Sequence, residues 1–356
     1  MTADTIGGVW TFALELARAL GRKGVEVVLA TMGARLTPEQ WAEARPIAGL
    51  DVRESTFQLE WMADPWQDLE RAGEWLLALE EEVGPDLIHL NSYVHGALPW
   101  GHPRLVVGHS CVLSWWQAVH GEEAPPAWER YRQEVRRGLQ AAEVVAAPSR
   151  AMRDALESYY GPLPAVRVIP NGRDPLQFSP GSKEPLVLSV GRLWDQAKNV
   201  AALARAAPGL PWPVFVAGED RHPEGGTARP GAVHSLGRLA PSELAPWFGR
   251  AAIYALPARY EPFGLSVLEA GLAGCALVLG DIPSLRENWD DAALFVPPQD
   301  SEQLQARLRT LMIREDLRVD YAARARVRAG KFTSERMGEA YLAIYREMLQ
   351  EVVCPG

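Results

Sequence analysis

The 356-residue sequence is short of several things, and each shortage narrows what the chain can be. Its three cysteines, Cys111, Cys275 and Cys354, are scattered and odd in number, so no disulfide framework is expected and a cytoplasmic setting is. No apolar run approaches the ~18 to 20 residues of a membrane span, and the chain does not open on a basic segment followed by an apolar one. Positive charge is also short: 36 Lys and Arg stand against 45 Asp and Glu, a net charge of −9. That balance argues against nucleic acid as a partner. There is no Asp-x-Asp pair, and the histidines at 89, 95, 102, 109, 120, 222 and 234 show no metal-ligand spacing, so no metal is expected. Internal repeats and low-complexity segments are missing too.

What is present is globular. Hydrophobic residues make up 47% and charged residues 23%, and at ~150 residues per domain the length predicts two domains. Short apolar runs at 25–30, 51–57, 87–90, 105–108, 144–147 and 166–169 read as strands, with helical patterns at 66–83, 128–142 and 150–159 between them. A stretch dense in turn formers, Ile169-Pro170-Asn171-Gly172-Arg173-Asp174-Pro175, closes this series. A second series has strands at 186–190, 214–217, 252–256, 275–279 and 293–296. An amphipathic segment at 334–352 follows, with Met337, Tyr341, Ile344, Tyr345 and Met348 on one side. The division expected is an N-terminal domain at 1–172, a second at 173–335 and a closing helix at 336–356. Alternating strands and helices predict an α/β fold of doubly wound parallel sheets, whose ligands sit at the carboxyl ends of the strands.

One stretch organises the second half: Arg259-Tyr260-Glu261-Pro262-Phe263-Gly264-Leu265-Ser266-Val267-Leu268-Glu269-Ala270. Lying between two buried-strand patterns, it must contain a loop and a helix. Gly264 gives the turn its backbone freedom, while Leu265, Leu268 and Leu272 recur at helical spacing up to Gly274. Glu261 then lies at the helix mouth and Glu269 at most about 12 Å further along the axis, a separation suited to the two ends of an extended polar ligand. N–H groups at the helix start favour an anion. Just after the strand at 186–190 come Gly191-Arg192 and, six residues beyond the arginine, Lys198, a pair of cations able to hold a diphosphate. Taken singly, these carboxylates and cations also read as ordinary solvated surface groups.

Together they resemble the E-x7-E and G-R-x5-K signatures of the family 4, group 1 retaining glycosyltransferases, enzymes of the GT-B fold with two Rossmann-like domains facing a cleft. The resemblance implies a retaining, metal-independent transfer of a sugar from a nucleotide-diphosphate sugar to a hydroxyl acceptor, with no cofactor besides the donor. It implies that Arg192 and Lys198 hold the diphosphate, Glu269 the ribose hydroxyls and Glu261 the donor sugar. Gly264 and Leu265 would complete the phosphate cradle through their N–H groups. Gly7 and Gly8 resemble the family's loop that approaches the donor. His109, at a strand end, is similar in position to a histidine the family places against the donor sugar, where it could donate to a hydroxyl or stabilise charge. His89 and Asn91 are candidates for the acceptor side, and the loops at 92–100 and 110–126 for acceptor specificity.

Two other functions stay open on the residues. The run Val107-Gly108-His109-Ser110-Cys111-Val112 looks like the start of a hydrolase elbow with Ser110 as nucleophile, although Val112 stands where a small residue is required. A non-catalytic sugar-nucleotide-binding homologue is the other. The N-terminus, Met1-Thr2-Ala3-Asp4-Thr5-Ile6-Gly7-Gly8, holds almost none of the strand expected before a Gly-Gly loop, so further apolar residues upstream are expected; Trp10, Leu14 and Ala17 form one face of the helix that follows. Trp115 and Trp116 adjoin a helix bearing Arg130, Arg132, Arg136 and Arg137, a possible surface for peripheral contact with anionic lipid, but Glu122, Glu123, Glu129 and Glu134 favour an ordinary solvated helix.

Overall fold

The computed structural model describes residues 1–221 and 231–353. His222, Cys354 and the last three residues assigned to the closing helix lie outside the described residues. In chain order the elements are β1 (Thr2–Asp4), α1 (Gly8–Gly21), β2 (Val27–Met32), α2 (Pro38–Ala44), β3 (Leu50–Glu54), α3 (Trp66–Val83), β4 (Ile88–Leu90), β5 (Arg104–Val107), α4 (Val112–His120), α5 (Glu129–Ala141), β6 (Val144–Ala147), α6 (Arg150–Tyr160) and β7 (Ala165–Val168). The second series follows as β8 (Glu184–Val190), α7 (Val200–Ala206), β9 (Val214–Ala217), β10 (His234–Gly237), α8 (Pro241–Arg250), β11 (Ala251–Leu256), α9 (Leu265–Leu272), β12 (Ala276–Gly280), α10 (Pro283–Trp289) and β13 (Ala293–Val296). It ends with α11 (Ser301–Ile313), α12 (Glu315–Ala329) and α13 (Ser334–Val353).

Two compact units result. The first comprises Met1–Gln117, Glu122–Gly172 and Ser334–Gly356; the second, Ala118–Gly121 and Arg173–Thr333. In the first unit every strand pairing is parallel, in the ladders β1-β2-β3 and β4-β5-β6-β7. The ladders are linked by side-chain bonds: the Asn91 N–H donates to Thr2 Oγ1 (2.8 Å) and Asn91 Nδ2 to the Thr2 carbonyl (2.7 Å). β1 and β4 thus mark the point where strand order reverses. The curtailed strand expected at the N-terminus is present as the three residues of β1, paired Thr2 to Ala30 and Asp4 to Met32.

α1 departs from the single apolar face expected of it. Besides Trp10, Leu14 and Ala17, its Phe12, Ala13, Leu16, Ala19 and Leu20 are buried. The cause is α13, which lays Met337, Tyr341, Ile344, Tyr345 and Met348 in the same core as Phe12 and Leu16. A helix covered by sheet on one side and helix on the other has little surface left for polar residues. Gly338 permits the close crossing, since a Cβ there would lie 2.6 Å from Ala19 Cβ.

The second unit is one six-stranded parallel sheet in the order β10-β9-β8-β11-β12-β13. Order reverses between β8 and β11, which is where a doubly wound sheet opens a crevice at its carboxyl edge. β11 and β12 are buried along their whole length, as continuous apolar strands covered on both faces must be. Among the described residues no helix is long and apolar enough to cross a membrane. On α5, Arg130, Arg132 and Arg137 lie beside Glu70, Glu129 and Glu134 respectively, which removes much of the basic face that lipid contact requires.

Candidate functional site

In the second unit the loops leaving β8 and β11 converge. The chain after β8 turns through Gly191 and Arg192 into a short 3-10 turn, Gln196–Lys198. Asp195 caps that turn by accepting from the Ala197 N–H (3.0 Å), and its other oxygen takes Arg192 Nη2 (2.9 Å). Asn199 reverses direction in the left-handed region (φ 57°) and ties the turn down through Nδ2 to the carbonyls of Pro257 (2.8 Å) and Pro298 (2.7 Å). The Arg259 N–H reaches the Ala197 carbonyl (2.8 Å). The two loops are therefore stitched backbone to backbone, which fixes where Lys198 points.

Lys198 Nζ points at Glu261, 2.6 Å from Oε2. Glu261 Oε1 accepts the Gly264 N–H (3.0 Å), and Ser284 Oγ donates to the Glu261 carbonyl (2.5 Å). Both oxygens of this carboxylate are thus held, and the Gly264 N–H assigned to the phosphate cradle is directed at Glu261. Gly264 precedes α9 at φ 93°, and a Cβ there would sit 3.0 Å from Val267 Cγ2, so only glycine fits without strain. The start of α9 is braced by Tyr254, whose hydroxyl donates to Ser266 Oγ (2.7 Å). Arg192 also lies over the Trp194 ring, 5.0 Å from its centre.

Glu269, on α9, is buried and meets Arg173, with Nε 3.0 Å from Oε1. The guanidinium is itself only 8% exposed and lies 5.0 Å from the centre of the Phe178 ring. Buried charges of this kind need partners, and each orients the other. The sequence showed Arg173 only as part of a turn, because nothing in a local pattern pairs it with a glutamate so far along the chain.

The first unit carries the other candidates. Gly7 caps α1 at φ 149°, and Gly8 is the first residue of that helix. His109 follows β5, its ring edge-on to Phe12 at 4.5 Å between centres, with Nε2 2.8 Å from Asn91 Oδ1. Because Asn91 Nδ2 donates to Thr2, its Oδ1 is the acceptor, so His109 carries its proton on Nε2 and presents Nδ1 as an acceptor. The same oxygen takes His89 Nε2 (3.3 Å), and Tyr345 OH donates to His89 Nδ1 (2.5 Å). Burial lowers the His109 pKa to about 3 and that of His89 well below its ordinary value. Held this way, with burial disfavouring its charged form, His109 turns Nδ1 away from Asn91 as an acceptor. Nε2 is turned to Asn91 rather than to Ser110, so the hydrolase alternative gains no support. Among the described residues no group of three or more His, Cys, Asp or Glu side chains could hold a metal ion.

A cavity of about 70 Å3 opens here, at the carboxyl ends of β1, β4 and β5, with His109, Asn91, Ser92 and Tyr93 in its wall. One side of it, Gln58 to Trp61, comes from the connection between β3 and α3, which composition gave no reason to select. Glu60 is the surprise in that wall. It is 8% exposed, and its Oε2 accepts the N–H groups of Tyr93 (3.0 Å) and Val94 (3.0 Å). Burial raises its pKa to about 7.

Comparison with known proteins follows the same division of the chain. A family model described as Glycosyltransferase Family 4 matches residues 6–176, and one described as Glycosyl transferases group 1 matches residues 184–314. A D-inositol 3-phosphate glycosyltransferase of Kineococcus radiotolerans is 28% identical over 97% of this chain and 91% of its own length. Among solved structures, sucrose-phosphate synthase from Thermosynechococcus elongatus superposes with a TM-score of 0.79 at 20% identity, covering 97% of this chain and 94% of its own. Anabaena HepE in complex with UDP and glucose gives 0.74 at 17% identity, covering 98% and 100%. At these identities the structural likenesses bear on the fold.

Proposed function

Because the chain belongs to the family 4, group 1 glycosyltransferases of GT-B fold, we propose that it transfers a sugar from a nucleotide-diphosphate sugar to a hydroxyl acceptor, with retention and without a metal. The observation that carries this reading is the cluster of Lys198, Glu261 and Gly264 at the β8/β11 switch point, with Arg192 beside it. Charge develops on the diphosphate as the bond to the anomeric carbon breaks and the electron pair leaves with the phosphate oxygen. Arg192 and Lys198 are cations aimed at that loop mouth, and they supply the stabilisation a metal would otherwise give. The acceptor oxygen forms the new bond, and its proton passes to the departing phosphate.

Glu269, held by Arg173, takes the ribose hydroxyls in this reading, and Glu261 takes the donor sugar. Gly7, Gly8 and His109 are the donor-side candidates that the first unit carries in this reading. We place the reaction in the cytoplasm, in keeping with the buried cysteines Cys111 and Cys275, neither of which is in a disulfide.

A thermal-shift screen of UDP, GDP, ADP and their sugar conjugates, with and without EDTA, tests the reading on the natural chain and on Glu269→Ala. One diphosphate should stabilise, indifferent to EDTA, by about 2.7 kcal/mol at 100 times its dissociation constant, and the variant should lose that shift. A shift abolished by EDTA would overturn metal independence. No shift with any nucleotide would overturn the donor site.

A further inference from the structure

The two cations after β8 stand on one loop, and a long side chain on a loop is ordinarily free to sample many rotamers. Here neither is left free. Asp195 is 4% exposed and uses its two oxygens differently: Oδ1 accepts the Ala197 N–H at 3.0 Å, and Oδ2 takes Arg192 Nη2 at 2.9 Å. The Lys198 N–H returns to the Asp195 carbonyl (3.0 Å), so the same residue closes the turn on which Lys198 stands. Trp194 adds a further restraint, with the Arg192 guanidinium over its ring at 5.0 Å from the centre. Gripped on one edge and one face, Arg192 is still 38% exposed, and its fork of five N–H donors has room for a ligand.

A buried carboxylate beside an anion site carries a cost, because it repels the incoming anion and competes for the cation. Were Asp195 only a competitor for Arg192, removing its charge would tighten diphosphate binding. Its bonding argues the other way. Neutralising Arg192 does not require capping the turn that bears Lys198, and solvent screens so exposed a pair enough to keep the competition small. The pairing also orders in advance a side chain that a phosphate would otherwise have to order on binding. We infer that Asp195 is a positioning residue of the donor site: one oxygen sets the direction of Arg192 and the other fixes the turn that delivers Lys198, so both cations stand ready before the diphosphate arrives. The inference rests on the reading of Arg192 and Lys198 as the diphosphate's cations.

Isothermal titration calorimetry of UDP, GDP and ADP on the full chain tests this with Asp195→Asn, Arg192→Ala and the double variant. Asparagine keeps an Oδ1 acceptor for the Ala197 N–H but offers Arg192 no anion. The diphosphate that binds the natural chain should bind Asp195→Asn about tenfold more weakly. In the Arg192→Ala background that step should shrink to about twofold or less, as two coupled neighbours require. An aspartate with a merely structural role would give the same loss in both backgrounds. Asp195→Ser, which also keeps a capping oxygen, repeats the measurement if the asparagine variant melts lower without ligand. Equal or tighter binding by the folded variant, or a loss undiminished without Arg192, would overturn the inference while leaving the donor site intact. Failure of the glycosyltransferase reading shows separately: no diphosphate would then bind the natural chain, and the inference would fall with it.

Discussion

Lys198 and Glu261 neutralise one another at 2.6 Å, each no more than 16% exposed. An isolated lysine there would suffer desolvation, and an isolated glutamate more so; as a pair they keep a cation at the loop mouth at little net charge. On the function proposed above, an arriving diphosphate gives Lys198 a stronger anion to serve, and that interaction grows as the bond breaks. Lys198→Ala is therefore expected to lower kcat/KM by about 100- to 1,000-fold, the range seen on removing one group that stabilises developing negative charge. Most of the fall should lie in kcat, measured by nucleotide release at saturating donor. An unchanged kcat with a raised KM would mean that Lys198 only binds. At this scale the spacing singled out candidates in the loops after β8 and β11 and on α9, and was silent on the buried charges that hold them. Glu261, Glu269, Arg192 and Lys198 stand out from their spacing, whereas Arg173 and Glu60 do not, because their partners come from distant segments and a buried charge looks like a surface one until the fold is known.

Among the elements, those with strong periodicity were legible and those with weak or mixed character were not. α3, α6 and α9 fall where their apolar spacing puts them. β10 was missed because His234-Ser235-Leu236-Gly237 is a polar, partly exposed edge strand ending in glycine at φ 68°, a composition that reads as loop. The single face assigned to α1 was too narrow because only the fold reveals that α13 covers the rest. The tight α1/α13 crossing gives a direct test at Gly338. Gly338→Val would place a branched side chain where a Cβ already comes within 2.6 Å of Ala19. A loss of about 1–3 kcal/mol is expected from overpacking, read as a lower urea midpoint with unchanged slope. A midpoint equal to that of the natural chain would show that the two helices can shift apart freely.

For the molecule as a whole, acid should be the weak flank. His89, His95 and His109 are all buried uncharged. Each takes up a proton on unfolding once the pH falls below the ordinary histidine value of about 6.5, so folded stability is complete above that pH and declines as the solution is acidified. The loss is about 2 kcal/mol per histidine at pH 5, while the folded forms of His95 and His109 protonate only near 4 and 3. Glu60 acts in the opposite sense: with its pKa raised from 4.5 to about 7, it binds an extra proton in the folded state and favours the acid side. Three histidines outweigh one glutamate, so urea midpoints should fall between pH 7 and pH 5; a flat or rising profile would contradict the burial of the rings. The division into two parallel-sheet units was legible from the alternation of strand and helix patterns, whereas the detail of each crevice was not, since it depends on which loops meet. One further consequence concerns the order of synthesis. The polypeptide leaves the first unit at Gly172 and rejoins it at Ser334, where α13 completes the core around α1. A ribosome that has finished the first seven strands has made a domain still lacking one wall. Phe12 and Leu16 must wait, unroofed, through the translation of the entire second unit, and at about 5–20 residues per second that interval lasts many seconds. A chain halted anywhere within the second unit would present this apolar face to the cell, so the unit made first is the one that can be finished only last.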